Sequence, residues 1–455
     1  MSWKKILALS LVLAALVAAI VLVNRLEKGK KAAEGTLLDT PAASIEKIEL
    51  RNKNGRFVFS RRDTLWYLDE PLAAKADKVA LEGILDNFCR LKYDRLVEED
   101  ARALKDFGLD KPEIELRLIT KGAPGQSILL GMKNGLDDSS YAKLAAGNKV
   151  VSIAAYKRNE LEKDLFAFRD KKFLEIDTTA VIALEYRHEN SLFAFSKVGE
   201  QWFMQKPLYS LAQAGRISDI LSGASLLEAL SFAGTASADK RREFGLENPL
   251  LTAEFRSATG SRKVVVGRKG ERYYALADGT AEICEVGKDF PDKFSNDPAS
   301  FREKKVASFY AFDVRELKFR RGNFNFEIRK NSAGAWEFAK PLASLTAFAE
   351  KRPSEEKIGS LLTALADCEA KEFIDGPKPL PEFAVQVALK TEDPADPKKT
   401  SGIVMEFSAA SGETVIARNP SLPYCFRIGK EILEKFPGKI EDISEEMPKT
   451  AETGK

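Results

Sequence analysis

Histidine is almost absent: among 455 residues there is one, His188. A metal centre built on two or more histidines does not fit such a chain, which removes zincin patterns and His-rich zinc sites. Cysteine is scarce too. Cys89, Cys284, Cys368 and Cys425 form no Cys-x-x-Cys pair and stand far apart, which argues against a disulfide framework. An excess of one charge sign is also missing, because 71 Lys and Arg face 68 Asp and Glu, a formal net charge of +3. A dedicated nucleic-acid binder carries a strongly basic domain, so no nucleic-acid partner is expected. Signature loops are lacking as well, with no G-x-S-x-G elbow, no G-x-x-x-x-G-K-[ST] and no strand-to-helix G-x-G-x-x-G. Ser-x-x-Lys occurs from Ser44 to Lys47 and from Ser354 to Lys357, but the S-D-N and K-T-G companions are missing. Ser354 stands just after Pro353, where a helix N-cap is wanted. No acidic pair stands out among the carboxylates. The sequence therefore assigns no catalytic residue, no cofactor and no metal.

What is present begins with one long apolar run. Ile6 to Val23 spans 18 residues with only Ser10 polar. At about 1.5 Å per residue, a helix of that length just crosses a hydrocarbon core of about 30 Å. Val17-Ala18-Ala19 resembles a small-residue cleavage site, yet Ile20 to Val23 carry the apolar run past it. Residues 1–23 are therefore expected to form an uncleaved signal anchor, a transmembrane helix contacting the lipid bilayer through residues 6–23. Lysines and arginines lie on both flanks, so their distribution does not set the orientation. A large domain behind a single N-terminal segment translocates largely regardless of charge, which favours the bulk of the chain outside the cytoplasm.

The second feature is repetition. Trp66, Trp202 and Trp336, spaced 136 and 134 apart, are each followed five residues later by Pro-Leu, at Pro71, Pro207 and Pro341. An aromatic pair at period two precedes each Trp: Phe57 and Phe59, Phe193 and Phe195, Phe324 and Phe326. Phe107-Gly108-Leu109 with Pro112 recurs as Phe244-Gly245-Leu246 with Pro249. Phe168-Arg169-Asp170-Lys171-Lys172 recurs as Phe301-Arg302-Glu303-Lys304-Lys305. A period this long exceeds that of solenoid repeats and indicates tandem domains. The expected units are 40–176, 177–312 and 313–443, behind a linker at 24–39 and ahead of a polar, disordered tail at 444–455. The third unit is degenerate: it keeps Pro381 but has no Phe-Gly-Leu, and its insertion from Thr391 to Gly402 reads as a solvated loop.

Within a unit, Ile48 and Leu50, Phe57 and Phe59, then Trp66 and Leu68 alternate around turn residues, as in a meander of antiparallel strands. Val79, Leu81, Ile84, Leu85 and Phe88 recur at helical spacing. The expected fold is α+β: an N-terminal transmembrane helix followed by three tandem repeats of an antiparallel-sheet-plus-helix domain. The aromatic pairs are expected in the core. Trp66, Pro71, Trp202, Pro207, Trp336 and Pro341 form the candidate signature, either as turns closing over the core or as a face for a partner. His188, in Arg187-His188-Glu189-Asn190, falls at a hairpin turn where the first unit has Asn52, and is expected to be solvated. The cations of Phe-Arg-Asp/Glu-Lys-Lys suit a helix C-terminus.

These elements together resemble the bacterial membrane-anchored DUF4340 proteins, over essentially the whole chain and most specifically in units one and two. The resemblance implies a single-pass protein of the bacterial inner membrane with repeated extracytoplasmic domains, and no catalytic residue carries over with it. It further implies a place beside ABC-type transporter subunits, including those resembling gliding-motility components. The expected function is a non-enzymatic accessory or scaffold protein that binds a membrane-protein partner. A periplasmic glycan or small-molecule binding protein is the alternative, and a cell-envelope hydrolase a more distant one.

Overall fold

The computed structural model describes residues 35–135, 137–339, 351–376, 379–393 and 396–447. The apolar run at 6–23 and Pro341 lie outside the described residues. The chain divides into two compact units, residues 1–173 and 174–455.

The first unit is built on a nine-stranded antiparallel sheet. Its strands lie in the order Ala74–Lys75, Leu65–Glu70, Gly55–Arg62, Ile45–Asn52, Ile114–Thr120, Gln126–Lys133, Ser140–Leu144, Val150–Ile153, Arg95–Glu98. The second unit holds two more large sheets. One runs Ser210–Leu211, Gln201–Lys206, Ser191–Val198, Val181–His188, Leu251–Ser257, Gly260–Lys269, Arg272–Ala277, Glu282–Val286, Ser231–Thr235. The other runs Trp336–Phe338, Phe324–Lys330, Val314–Arg321, Phe383–Asp393, Asp396–Ser408, Thr414–Arg418, Cys425–Gly429, Glu372–Ile374. All three share one order: a meander, a return strand beside its first member, a second meander, and an edge strand drawn from the middle of the sequence.

Burial follows the strand period. Ile48, Leu50, Phe57 and Phe59 are each at most 1% exposed, because alternate side chains of neighbouring strands face one layer. One helix, Lys78–Phe88, covers that face with Ala80, Leu81, Ile84, Leu85 and Phe88. Asp77 caps it by accepting from the Ala80 N–H at 2.8 Å. Val79, grouped with that apolar stripe by its spacing, instead points to solvent. The counterparts Ala214–Ser225 and Glu355–Ala366 bury Ile217, Ile220 and Leu221, and Ile358, Leu361, Leu362 and Leu365.

The expected fold class is corrected in two respects. The described chain is mostly β-sheet with few helices, because each sheet takes one cover helix and short helical turns serve as connectors. No described helix is long and apolar enough to cross a membrane. The longest have 12 residues, roughly 18 Å of helix against a hydrocarbon core of about 30 Å. Three local readings also change. Thr391 to Gly402 is not a loop throughout: the ladder continues with Thr391 opposite Ser401 and Glu392 opposite Thr400, where β-branched threonines suit a strand. Gly35–Asp39, assigned to a linker, pairs with Arg90–Tyr93. Ser444–Glu446, assigned to the tail, pairs with Lys351–Pro353.

Candidate functional site

The repeated motifs are the natural places to look for a site, and most of them are consumed by packing. Trp66, Trp202 and Trp336 are 7%, 7% and 6% exposed, so none offers its indole as a partner-facing surface. Pro71 and Pro207 follow cis peptide bonds at the turn that closes each meander. The Phe of the Phe-Arg motif completes an aromatic cluster in both copies. Phe168 lies 5.1 and 5.3 Å from Phe57 and Phe59, and Phe301 lies 5.6 and 5.1 Å from Phe193 and Phe195. In the third copy the equivalent position is Ile443, whose carbonyl accepts from the Ser354 N–H at 2.9 Å as those of Phe168 and Phe301 accept from the Asp77 and Gln213 N–H groups.

Phe-Gly-Leu is one half of a two-part joint. Gly108 and Gly245 have φ of 65° and 73°, a left-handed turn that glycine adopts without steric cost. The turn lays a backbone carbonyl against a second glycine. A Cβ on Gly131 would stand 2.0 Å from the Phe107 oxygen, and one on Gly267 would stand 2.2 Å from the Phe244 oxygen. The third copy lacks Phe-Gly-Leu, and its register puts Ser408 at the second glycine's position. The motif and the glycine are lost together.

His188 sits at the end of a hairpin, as expected, but is half-buried and bonded, not solvated. Its Nδ1 lies 2.5 Å from the Phe294 carbonyl oxygen, so that nitrogen carries the proton and donates. The first copy does the same with Asn52, whose Nδ2 donates to the carbonyls of Leu161 at 2.6 Å and Lys163 at 3.0 Å. The third copy uses Arg321, which donates to the Phe436 carbonyl at 2.7 Å. Three different side chains tie the same hairpin end to the closing segment of the copy.

The most elaborate polar arrangement of the second unit is built on Arg302. Its motif runs out of the second sheet, with Glu303 N–H donating to Leu211 O at 2.9 Å, and into the third, with Val306 N–H donating to Cys368 O at 3.0 Å. Arg302 caps the C-terminus of the short helical turn Pro298–Phe301, where the sequence places these cations, and is itself 4% exposed. Its Nη1 and Nη2 each donate to a carboxylate oxygen of Asp375 at 2.7 Å, and its Nε donates to Ser210 Oγ at 3.2 Å. The guanidinium lies 3.8 Å from the Phe373 ring centre and 4.6 Å from that of Tyr424. Tyr424 Oη in turn accepts from the Leu211 N–H at 3.1 Å. Residues of both sheets thus converge on one planar cation, which stacks and forks at once as only arginine can. Arg169, the matching residue of the first copy, is buried as well.

Among the described residues, a hydroxyl chain runs through the first unit that its sister copies do not show. Ser152 Oγ donates to Ser139 Oγ at 2.7 Å, and Ser139 Oγ donates to Asp137 Oδ1 at 2.6 Å. The hydrogen bond from the Ser139 hydroxyl holds the Asp137 carboxyl below its ordinary range, helped by the Ser139 N–H. Among the described residues neither hydroxyl is bonded to a basic nitrogen, and no group of three His, Cys, Asp or Glu could hold a metal ion. Nearby, Arg158 is 2% exposed, donates to Gly131 O at 2.7 Å and pairs with Glu162 at 2.6 Å and with Glu113.

A family model described as "Domain of unknown function (DUF4340)" matches residues 66–243 and 234–386. No protein of curated function matches the chain. Among solved structures, a DNA polymerase sliding clamp from Pseudomonas aeruginosa with ligand is 7% identical, covering 86% of this chain and 93% of that one, at a TM-score of 0.15. A second structure of the sliding clamp from that organism is 8% identical, covering 86% and 92%, at 0.13. TM-scores so low carry no argument about this chain.

Proposed function

From the premise that this chain belongs to the DUF4340 family, matched over residues 66–243 and 234–386, we propose a non-enzymatic accessory or scaffold role at the bacterial cell envelope. The chain presents its repeated domains on the extracytoplasmic side of the inner membrane and binds a membrane-protein partner, with ABC-type transporter subunits the class that the family resemblance implies. One observation carries this reading. A single sheet order occurs three times, and the motif residues that recur within it, the tryptophans, the aromatic pairs and Arg302, lie in cores and joints. What is repeated is a framework, and what differs between copies is its surface. Linked surfaces that each bind weakly gain avidity when they engage one assembly. The apolar sequence at 6–23 supports the membrane location.

Purification of the full chain after mild crosslinking tests the proposal. Recovery together with an integral-membrane protein supports it, and recovery of the chain alone contradicts it. A reporter fused at the C-terminus tests the location, which cytoplasmic reporter activity would overturn.

A further inference from the structure

The three copies can be compared position by position, and one turn departs from its sisters without any structural need. Two exposed residues flank a half-buried one just before the first long strand of each sheet: Pro41 and Ala43, Asp177 and Thr179, Tyr310 and Phe312. The first copy fills the turn with small residues. The second uses Asp177, which accepts from the Thr179 N–H and hydroxyl. The third places two rings there, 69% and 67% exposed, stacked at 5.4 Å and 20°. The same turn forms in the sister copies without rings, so its geometry does not require them. Exposed aromatic pairs beside arginine are the composition of interface centres.

Beside the rings lies a groove of about 360 Å³, lined by Arg315, Glu316, Arg329, Lys330, Asn331 and Glu392 among others. It joins the turn through Lys330, whose Nζ donates to the Phe312 carbonyl at 3.3 Å. Its acids are already engaged: Glu392 pairs with Arg315 at 2.7 Å, and Glu316 with Lys390 at 3.1 Å. Glu337, opposite Arg329 in the ladder, accepts from Asn331 at 2.6 Å. Arg329 and Lys330 remain, and no described carboxylate stands within ion-pair distance of either. Lys330 is half-buried with its Nζ 5.2 Å from the Trp336 ring centre, and burial, with Arg315 nearby, lowers its pKa from the usual lysine value against the opposing pull of Glu355, Asp313 and Glu392. An added carboxylate would relieve that cation.

We infer that this face of the third copy docks a partner protein, which sets an apolar side chain against Tyr310 and Phe312 and a carboxylate against Lys330 and Arg329. The inference rests on the partner-binding role proposed above. It assigns that role a place and a chemistry: an acidic segment with an apolar anchor. A neutral glycan could stack on the rings but would give the two cations no ion-pair partner.

The experiment places the photo-crosslinker p-benzoylphenylalanine, in the full chain in cells, at position 310 or 312 and, as internal controls, at 43 or 179. The expected result is a protein adduct from 310 and 312 and none from the sister turns, with Asp or Glu in the mapped partner peptide. Combining Lys330→Glu with Arg329→Glu should cut the adduct at least about tenfold, since close charge pairs across interfaces couple by more than 1.4 kcal/mol. Lys330→Gln, with an unchanged melting temperature, should reduce it less. Adducts from 43 or 179 but not from 310 or 312 would overturn the inference and leave the partner role standing. Adducts from no position would overturn both. An adduct to a glycan or a lipid, or one indifferent to charge reversal in a folded variant, would overturn the inference.

Discussion

The guanidinium of Arg302 reaches Asp375 through two hydrogen bonds of 2.7 Å each, while the arginine is buried and the carboxylate half-exposed. Arg302 belongs to the second sheet's closing motif and Asp375 follows the third sheet's edge strand, so the pair couples two copies of the fold. Arg302→Lys keeps the charge but loses the fork and the stacking on Phe373 and Tyr424. It should lower the stability of the second unit by about 1–3 kcal/mol. Asp375→Asn should cost less, about 1 kcal/mol, because solvent screens an exposed carboxylate. Urea unfolding of the full chain checks both values, and a lysine variant as stable as the wild type would refute the clasp.

The Phe-Gly-Leu joint predicts an asymmetry between copies. Gly131→Ala or Gly267→Ala puts a methyl group against a backbone carbonyl that has no side-chain freedom to yield, and should destabilise by about 1–3 kcal/mol. Ser408→Gly, at the same register position of the third copy, relieves no such contact and should not stabilise. Thermal melts of the three variants decide the point.

His188 is predicted to be structural. His188→Leu leaves the Phe294 carbonyl without its donor and should cost about 1–2 kcal/mol. His188→Asn, the side chain that the first copy uses, should recover much of that loss. Crosslinking to the partner should be unchanged in both variants at temperatures where they remain folded. Loss of crosslinking with His188→Asn would contradict the assignment.

All four cysteines are free thiols and buried. Burial pushes Cys89 up to about 11 and Cys368 up to about 12, from an ordinary value of 9.0. Both thiols are protonated in folded and unfolded chains at neutral pH. Above the ordinary value the unfolded chain loses these protons first, so stability should fall as pH rises from 9 towards 11 and 12. Cys89→Ala with Cys368→Ala should flatten that part of the pH profile. The native chain should also resist thiol reagents at pH 8 until it is denatured.

Much of the framework could be read from residue types at fixed spacing. Phe57 and Phe59, with period two ahead of Trp66, imply a core-facing strand, because strand geometry sends alternate side chains to one face. The joint between Phe107 and Gly131 appears in the sequence only as two motifs that recur together. The close approach linking them is a contact between residues more than 20 positions apart, which no local pattern contains. The helix C-terminus expected for Arg302 is where it stands, but its partners are not legible locally, since only the fold brings Phe373, Asp375 and Tyr424 around it. His188 looked solvated because its partner, Phe294, lies 106 residues away. Tyr310 and Phe312 belong to no recurring motif, and their meaning required alignment with Ala43 and Thr179 through the strands that follow. The anchor expected at 6–23 lies outside the described residues, so the fold adds nothing to it.

The central proposal is that the repeated framework holds a membrane-protein partner. Its most direct test is the composition of the crosslinked native complex, purified through the full chain in the presence of a chelator and with no small molecule added. The account predicts an integral-membrane protein recovered at a fixed ratio to the chain. Recovery of the chain by itself, under conditions where crosslinking of a known membrane complex succeeds, would contradict it.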